Sequence, residues 1–245
     1  QDLRDGVLAA QSLSARVVLP PDVCPYRGLA TFRREDSTLF FGRAGETLRA
    51  LSLLGDTRQR NPERLMLSSG SDYSRWLQIE GNSGAGKSSL VRAGMLPMIE
   101  RGALWPRTGF EQWTIVGPML PGADPLTNLV AAVESALVAD PQQRDFASRR
   151  ERLRSGADDA LALWLRQSGE TGSSKPGRAF LLVIDQFEEL FTLAEAEPRR
   201  HFDRQLAAAL CDPECPLFLL STVRADFLDR LDRLEHLMAP YNDRC

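Results

Sequence analysis

The sequence predicts an α/β protein in which a parallel sheet carries helices on both faces, and three observations predict it. Short apolar runs alternate along the chain with segments of helical periodicity. One run, Trp76 to Ile79, leads straight into a glycine-rich turn, Gly81 to Gly86, and then into a helical pattern. Another, Ala179 to Asp185, is almost wholly apolar and closes on a carboxylate, as suits a strand covered on both faces.

Taken in order, residues 1–23 read as an arm or linker from something upstream, closed by the Pro20-Pro21 break. The first residue is Gln, which suits an excised piece of a longer chain, and residues 24–245 form the expected domain. After Phe40-Phe-Gly-Arg43, Leu48, Leu51 and Leu54 mark a helix, and Asn61 to Ser74 is polar enough for a loop. The first strand, Trp76 to Ile79, precedes a helix carrying Leu90, Val91, Gly94 and Met98 that ends near Gly102. A second strand, Trp113 to Val116, is expected to stop at Gly117-Pro118. Asp124 and Pro125 supply an N-cap and first-turn proline for a helix with Leu126, Leu129, Val130, Val133 and Leu137 on one face.

Arg149, Arg150, Arg152 and Arg154 form a basic stretch with two open readings, a solvated helix face or a contact to a partner. A helix from about Asp158 to Gln167 rests on Leu161, Trp164 and Leu165, and Ser168 to Gly177 is Gly/Ser-rich and expected to be mobile. The third strand, Ala179 to Asp185, is followed by a helix from Pro198 to Leu210. The fourth, Leu217 to Val223, is followed by a last helix using Phe227, Leu231, Leu234 and Met238.

Composition limits the function classes. The 245 residues are 43% hydrophobic and 26% charged, which excludes wholesale disorder. With 30 basic against 33 acidic residues, the net charge of −3 offers no footprint for nucleic acid or an anionic membrane. No apolar run reaches the roughly 18 residues of a membrane helix, and Gln1 to Arg16 does not resemble a signal peptide, so a soluble cytoplasmic protein is expected. Cys24, Cys211, Cys215 and Cys245 are too sparse for a disulfide scaffold. Cys211 and Cys215 lack a second pair to complete a zinc set, and His201 and His236 are the only histidines, so the thiols are expected to be reduced.

Gly81-Asn-Ser-Gly-Ala-Gly-Lys87-Ser88 fits G-x-x-x-x-G-K-[ST] at every fixed position, after a strand and before a helix. Such a turn folds successive N–H groups around phosphate oxygens, and the helix that follows adds unpaired N–H groups and the positive end of its dipole. The expected cradle is Gly81, Asn82, Ser83, Gly84, Ala85, Gly86, Lys87, Ser88 and Ser89. Lys87 would reach the terminal phosphates and Ser88 would ligate Mg²⁺, with Asp185 as a direct or indirect partner of the ion. For a carboxylate that orients and deprotonates water, Glu188 is the first choice and Glu189 the second. Arg224, at the end of the fourth strand, could sense the γ-phosphate if that strand lies between the first and third; the alternative is a salt bridge to Asp226 or Asp229. Guanine-specific proteins of this type usually carry Asn/Thr-Lys-x-Asp. Neither lysine, Lys87 or Lys175, lies in such a sequence, so ATP is favoured.

These residues resemble the STAND NTPases, signal-transduction ATPases with numerous domains, and within them the bacterial novel STAND group. The resemblance runs from Cys24 to Leu231. It rests on Cys24-Pro-Tyr-Arg-Gly-Leu, Phe40-Phe-Gly-Arg43, Gly81 to Ser88 continuing into Ser89-Leu-Val-Arg-Ala-Gly94, Leu182-Val-Ile-Asp-Gln-Phe-Glu-Glu-Leu-Phe191, and Thr222-Val-Arg-Ala-Asp-Phe227. It implies a P-loop NTPase of the ASCE/AAA-like type, truncated before the fifth strand, lid helices and winged-helix domain that would follow the Arg224 segment. It also implies a slow ATPase switch that exchanges ATP and ADP with Mg²⁺ and forms homo-oligomers when a sensor domain, expected downstream, detects its trigger. Assembly would then activate an upstream effector, often in defence against phage. Gly42 and Arg43 match the segment on the base side of the nucleotide, Arg224 the sensor arginine, and Asp185 with Glu188 the Asp-x-x-acidic pattern. Two other classes remain open on the residues alone: a phosphotransferase with a small acceptor, and a scaffold that binds nucleotide without turnover.

Overall fold

The computed structural model describes residues 28, 30–55, 74–169 and 177–241. The expected arm 1–23, the Cys24-Pro-Tyr-Arg segment, loop residues 61–73 and the stretch 170–176 lie outside the described residues, as do Cys24 and Cys245. In chain order the main elements are α1 (Ala44–Leu53), β1 (Trp76–Gly81), α2, β2 (Gln112–Met119), α3 (Pro125–Leu137), α4 (Phe146–Ser155), α5 (Ala160–Gly169), β3 (Arg178–Ile184), α6 (Ala196–Cys211) and β4 (Leu217–Arg224). Helix α2 is built from Lys87–Ser89, a π-helical segment Leu90–Met95 and Leu96–Glu100, which follow one another without a break. Shorter turns of helix occupy Arg34–Leu39, Trp105–Thr108, Glu189–Thr192, Ala225–Arg233 and Met238–Tyr241.

The four strands form one parallel sheet in the order β1-β4-β3-β2. Because side chains alternate along a strand, β3 and β4 divide their apolar residues between two cores. Ala179, Leu181, Val183, Phe218 and Leu220 face α1 and α2, joining Leu51, Val91, Met95 and Ile99. Phe180, Leu182, Ile184, Leu217, Leu219 and Val223 face the opposite layer, joining residues of α3 (Leu129, Val133), α4 (Leu153), α5 (Leu161, Trp164) and α6 (Phe202, Leu206). Each fully buried side chain of this size stabilises the fold by about 1.5–3 kcal/mol, and these two central strands have no solvent face on which to place a polar residue. Helices therefore cover both faces, as the apolar pattern predicts.

Expectations for β2, for the segment after β4 and for Cys211 need correction. Strand β2 does not stop at Val116 but runs through Gly117-Pro118 to Met119. Its register against β3 shifts there, so that Gly117 and Pro118 stand opposite Val183 alone. A bulge on an edge strand tolerates a proline that lacks an N–H. A Cβ at Gly117 would lie 2.8 Å from Val183 O, so only glycine fits. The bulge leaves Met119 O to accept the main-chain N–H of Asp185 at 2.8 Å.

The last helix expected after β4 is a 3₁₀ helix, Ala225–Arg233, which ends before Leu234, with Met238 starting a separate short turn of helix. Leu228, Leu231 and Leu234 recur every third residue, which lines them up at three residues per turn, and all three pack on the core. Asp203 of α6 accepts the N–H groups of His236 (3.1 Å) and Leu237 (2.8 Å) and fixes the chain beyond it.

The basic stretch of α4 lies on an exposed helix face, with Arg150, Arg152 and Arg154 all exposed, as the solvated-face alternative has it. Arg149 pairs with Glu134 of α3 at 3.4 Å and stacks over Trp164 of α5, Arg150 binds the N-cap Asp124 at 2.8 Å, and Arg154 reaches Glu197 of α6. Intramolecular ion pairs engage three of the four charges, those of Arg149, Arg150 and Arg154.

Arg75, just before β1, donates to the carbonyls of Asp212 (2.6 Å), Pro213 (3.0 Å) and Cys215 (2.7 Å), tying the end of α6 to the start of the central sheet. Cys215 is a free, buried thiol whose pKa burial pushes up to about 12, but Cys211 is disulfide-bonded, contrary to the expectation of a reduced thiol there. No described helix is long and apolar enough to cross a membrane.

Candidate nucleotide site

In parallel register Gly81 lies beside Arg224, and Ile184, the residue before Asp185, lies beside Ser221. The C-terminal ends of β1, β4 and β3 therefore bring the glycine-rich turn, Arg224 and Asp185 to one edge of the sheet, where open parallel sheets bind ligands.

The turn closes on an Ala85 N–H donated to Asn82 O at 3.2 Å, and Asn82 to Ala85 are exposed. Gly86 caps α2 in the left-handed region (φ 76°) and offers no side-chain cap, which leaves the first N–H groups of the helix without a capping side chain among the described residues. A Cβ at Gly86 would meet Arg43 Nη1 at 2.8 Å, and one at Gly84 would meet nothing within 4 Å. The rear of the turn is thus packed and its front is open.

Arg43 provides that packing. It precedes α1, and its Nη1 donates to Ala85 O (2.9 Å) and Gly86 O (3.2 Å) while the rest of the guanidinium binds Glu46. Gly42, just before it, has φ 88°. Ser89 faces away from the opening, its Oγ accepting the Phe32 N–H at 3.1 Å.

Lys87 Nζ donates to Gly81 O (2.7 Å) and Asn82 O (2.9 Å), folding the amine over the turn. Partial burial holds its pKa below the ordinary lysine value, with the Glu188 carboxylate opposing that shift and the Arg224 cation adding to it.

Asp185 is 5% exposed, and its two oxygens have different partners. Oδ1 accepts from Ser88 Oγ and from Thr222 Oγ1, both at 2.7 Å; Oδ2 accepts from Arg92 Nη2 at 3.0 Å. Thr222 also receives the next two main-chain N–H groups: Gln186 N on its Oγ1 at 3.0 Å and Phe187 N on its carbonyl at 2.8 Å. This holds Gln186 at a positive φ of 54° and turns the chain so that Glu188 follows at once.

The two acidic candidates separate. Glu188 is 8% exposed and accepts the Arg224 N–H at 3.3 Å, whereas Glu189 accepts the Gly122 N–H at 2.9 Å and braces the loop after β2. Arg224 forms a two-pronged ion pair with Asp226 (3.0 and 2.7 Å) and lies over Phe227. Strand β4 does lie between β1 and β3, and the salt bridge to Asp226 is also present.

Uncapped helix N–H groups, a lysine over the turn and open space before Gly84 suit phosphate oxygens. The Ser88 hydroxyl donates its hydrogen bond to Asp185, which leaves its oxygen lone pairs for a hard cation. These residues therefore fit a nucleotide phosphate chain with Mg²⁺. Sequence reasoning missed Arg92 and the double role of Thr222. The one signal for Arg92 was spacing, since it is four residues after Ser88 and so on the same helical face.

A family model described as Novel STAND NTPase 1 matches residues 25–244. No curated protein and no solved structure matches the chain.

Proposed function

The chain belongs to the Novel STAND NTPase 1 family, and from that premise we propose that it is an ATP-binding, slowly hydrolysing switch. A nucleotide-binding NTPase module is the general function of the family. The specific reading is that ATP, with Mg²⁺, holds the module in one state and hydrolysis to ADP in another. Assembly into homo-oligomers in the cytoplasm then passes that state from a sensor to an effector on the same longer chain, in bacterial defence against phage. No nucleic acid or membrane enters this reading.

The observation that carries it is the 2.7 Å hydrogen bond between Ser88 Oγ and Asp185 Oδ1, residues 97 positions apart. It joins the glycine-rich turn of one strand to the carboxylate of another, as shared binding of one cation requires. In this reading Lys87 and the N–H groups from Gly81 to Ser89 hold the phosphates, and Ser88 and Asp185 hold the cation. Glu188 orients water and accepts its proton, with Glu189 second because Gly122 occupies it. Arg224 senses the γ-phosphate, and Gly42 and Arg43 lie on the base side, where Arg43 also braces the turn.

Calorimetric titration of ATP, ADP and GTP, each with MgCl₂, tests the reading on the wild-type chain and on Lys87→Ala. ATP binds the wild type more tightly than GTP does, and Lys87→Ala loses about tenfold or more in affinity through lost charge-assisted contacts. Equal ATP binding by the two proteins, or none by the wild type, overturns it. Turnover that rises strongly with a small-molecule acceptor would favour the phosphotransferase.

A further inference from the structure

We propose that Arg92 is a positioning residue for the cation site: it fixes the Asp185 carboxylate so that Oδ1 stays on the Ser88 hydroxyl, and it thereby sets how strongly Mg²⁺ enhances nucleotide binding. The inference rests on the nucleotide reading above and assigns a role to a residue that reading does not use.

The two oxygens of the carboxylate are held separately. Ser88 and Thr222 share Oδ1, and Arg92 alone among the described residues donates to Oδ2. A buried carboxylate with one oxygen unsatisfied is costly and free to turn, so the guanidinium both compensates the charge and fixes the torsion. Arg92 also commits itself to this contact: its Nε is buried without a hydrogen-bond partner among the described residues, so the ion pair with Asp185 offsets the burial of the guanidinium.

The backbone explains the reach. Ser88 and Arg92 are four residues apart, about 5–6 Å between Cβ atoms on a regular helix, and Arg92 lies in the π-helical segment Leu90–Met95. Wider turns of this kind recur where a helix must aim a side chain at a functional group. The carboxylate spans from one residue to the other, with Ser88 on the phosphate side and Arg92 one turn farther along the helix.

Two effects of removing Arg92 oppose each other. Loss of a positive charge would favour a bound cation, whereas loss of the Oδ2 partner frees the carboxylate to leave Ser88. The second prevails because Asp185 lies between the guanidinium and the Ser88 hydroxyl, and its charge offsets the repulsion.

ATP is titrated calorimetrically, once with excess MgCl₂ and once with EDTA, into the wild type, Arg92→Ala, Arg92→Gln and Arg92→Lys, with the unliganded melting temperature recorded for each. Arg92→Ala reduces the affinity gained from Mg²⁺ by about tenfold, while its affinity for ATP in EDTA stays within about twofold of wild type. Arg92→Lys recovers part of the gain, because an ammonium restores the charge but not the planar geometry. If Arg92→Ala does not fold, Arg92→Gln, which keeps much of the side-chain volume without the charge, replaces it with the same expected loss. An undiminished or larger Mg²⁺ gain in the folded variants overturns the inference and leaves the nucleotide site standing. Absence of ATP binding by the wild type overturns both.

Discussion

Thr222 Oγ1 donates to Asp185 Oδ1 at 2.7 Å and at the same time accepts the Gln186 N–H at 3.0 Å. One hydroxyl therefore supports both the buried carboxylate and the left-handed turn after it. Thr222→Val keeps the shape and removes both contacts, leaving a main-chain donor unpaired. Urea unfolding is expected to show a loss of about 1–3 kcal/mol, with Thr222→Ser close to wild type. Equal stability of the valine variant would mean that water replaces the hydroxyl.

The neighbouring acids Glu188 and Glu189 are predicted to differ in kind. Glu188→Gln lowers ATP turnover by roughly 10²–10⁴-fold with ATP still bound, as expected for loss of a proton acceptor. Glu189→Gln leaves turnover near wild type, because an amide oxygen can still accept the Gly122 N–H. Steady-state hydrolysis beside ATP titration of both variants checks this, and the reverse ranking would transfer the role to Glu189.

The layers of this fold are legible in the sequence because β3 and β4 carry the apolar runs Ala179–Ile184 and Leu217–Leu220 and the G-x-x-x-x-G-K-S turn has one common use. The capped start of α3 is equally plain, since Asp124 accepts the Thr127 N–H at 3.0 Å just as its place before Pro125 suggests. The continuation of β2 through Gly117-Pro118 is not legible, because that proline is tolerated only at a bulge, and the bulge depends on register with β3. Glu188 and Glu189 cannot be told apart from sequence for a related reason: Glu189 is claimed by Gly122, 67 residues away. Arg92 is hidden because its partner is 93 residues distant, so its spacing from Ser88 alone does not reveal the contact.

Asp226 is predicted to restrain Arg224. Their paired hydrogen bonds hold the Asp226 carboxyl below the usual carboxylate range, and Arg224 must leave at least part of this pairing to meet a γ-phosphate. Asp226→Asn should raise affinity for ATP relative to ADP, by less than about tenfold because the pair is exposed. Arg224→Ala should remove the preference for ATP. Titrations of both nucleotides give the ratio, and a ratio unchanged in both variants excludes Arg224 from the γ-phosphate.

Asp124 and Asp203 are expected to give stability opposite dependence on pH. At Asp124, partial burial raises the pKa, but hydrogen bonds from Thr127 and the Arg150 cation outweigh it and hold the carboxyl below its ordinary value. Its contribution is therefore present above the unfolded pKa near 4 and is lost as pH falls through the lower folded value. Asp124→Ala should cost about 1 kcal/mol at neutral pH, as for an N-cap, and progressively less on acidification. Asp203 has the reverse sign: burial raises its pKa and outweighs the N–H groups of His236 and Leu237. Its ionisation destabilises the fold as pH rises through the folded value, so Asp203→Asn should lessen the loss of stability over that interval. Urea unfolding of the wild type and both variants across the acid range checks the two signs together. A cost of Asp124→Ala that grows towards low pH would show that Arg150 and Thr127 do not favour the ionised carboxylate.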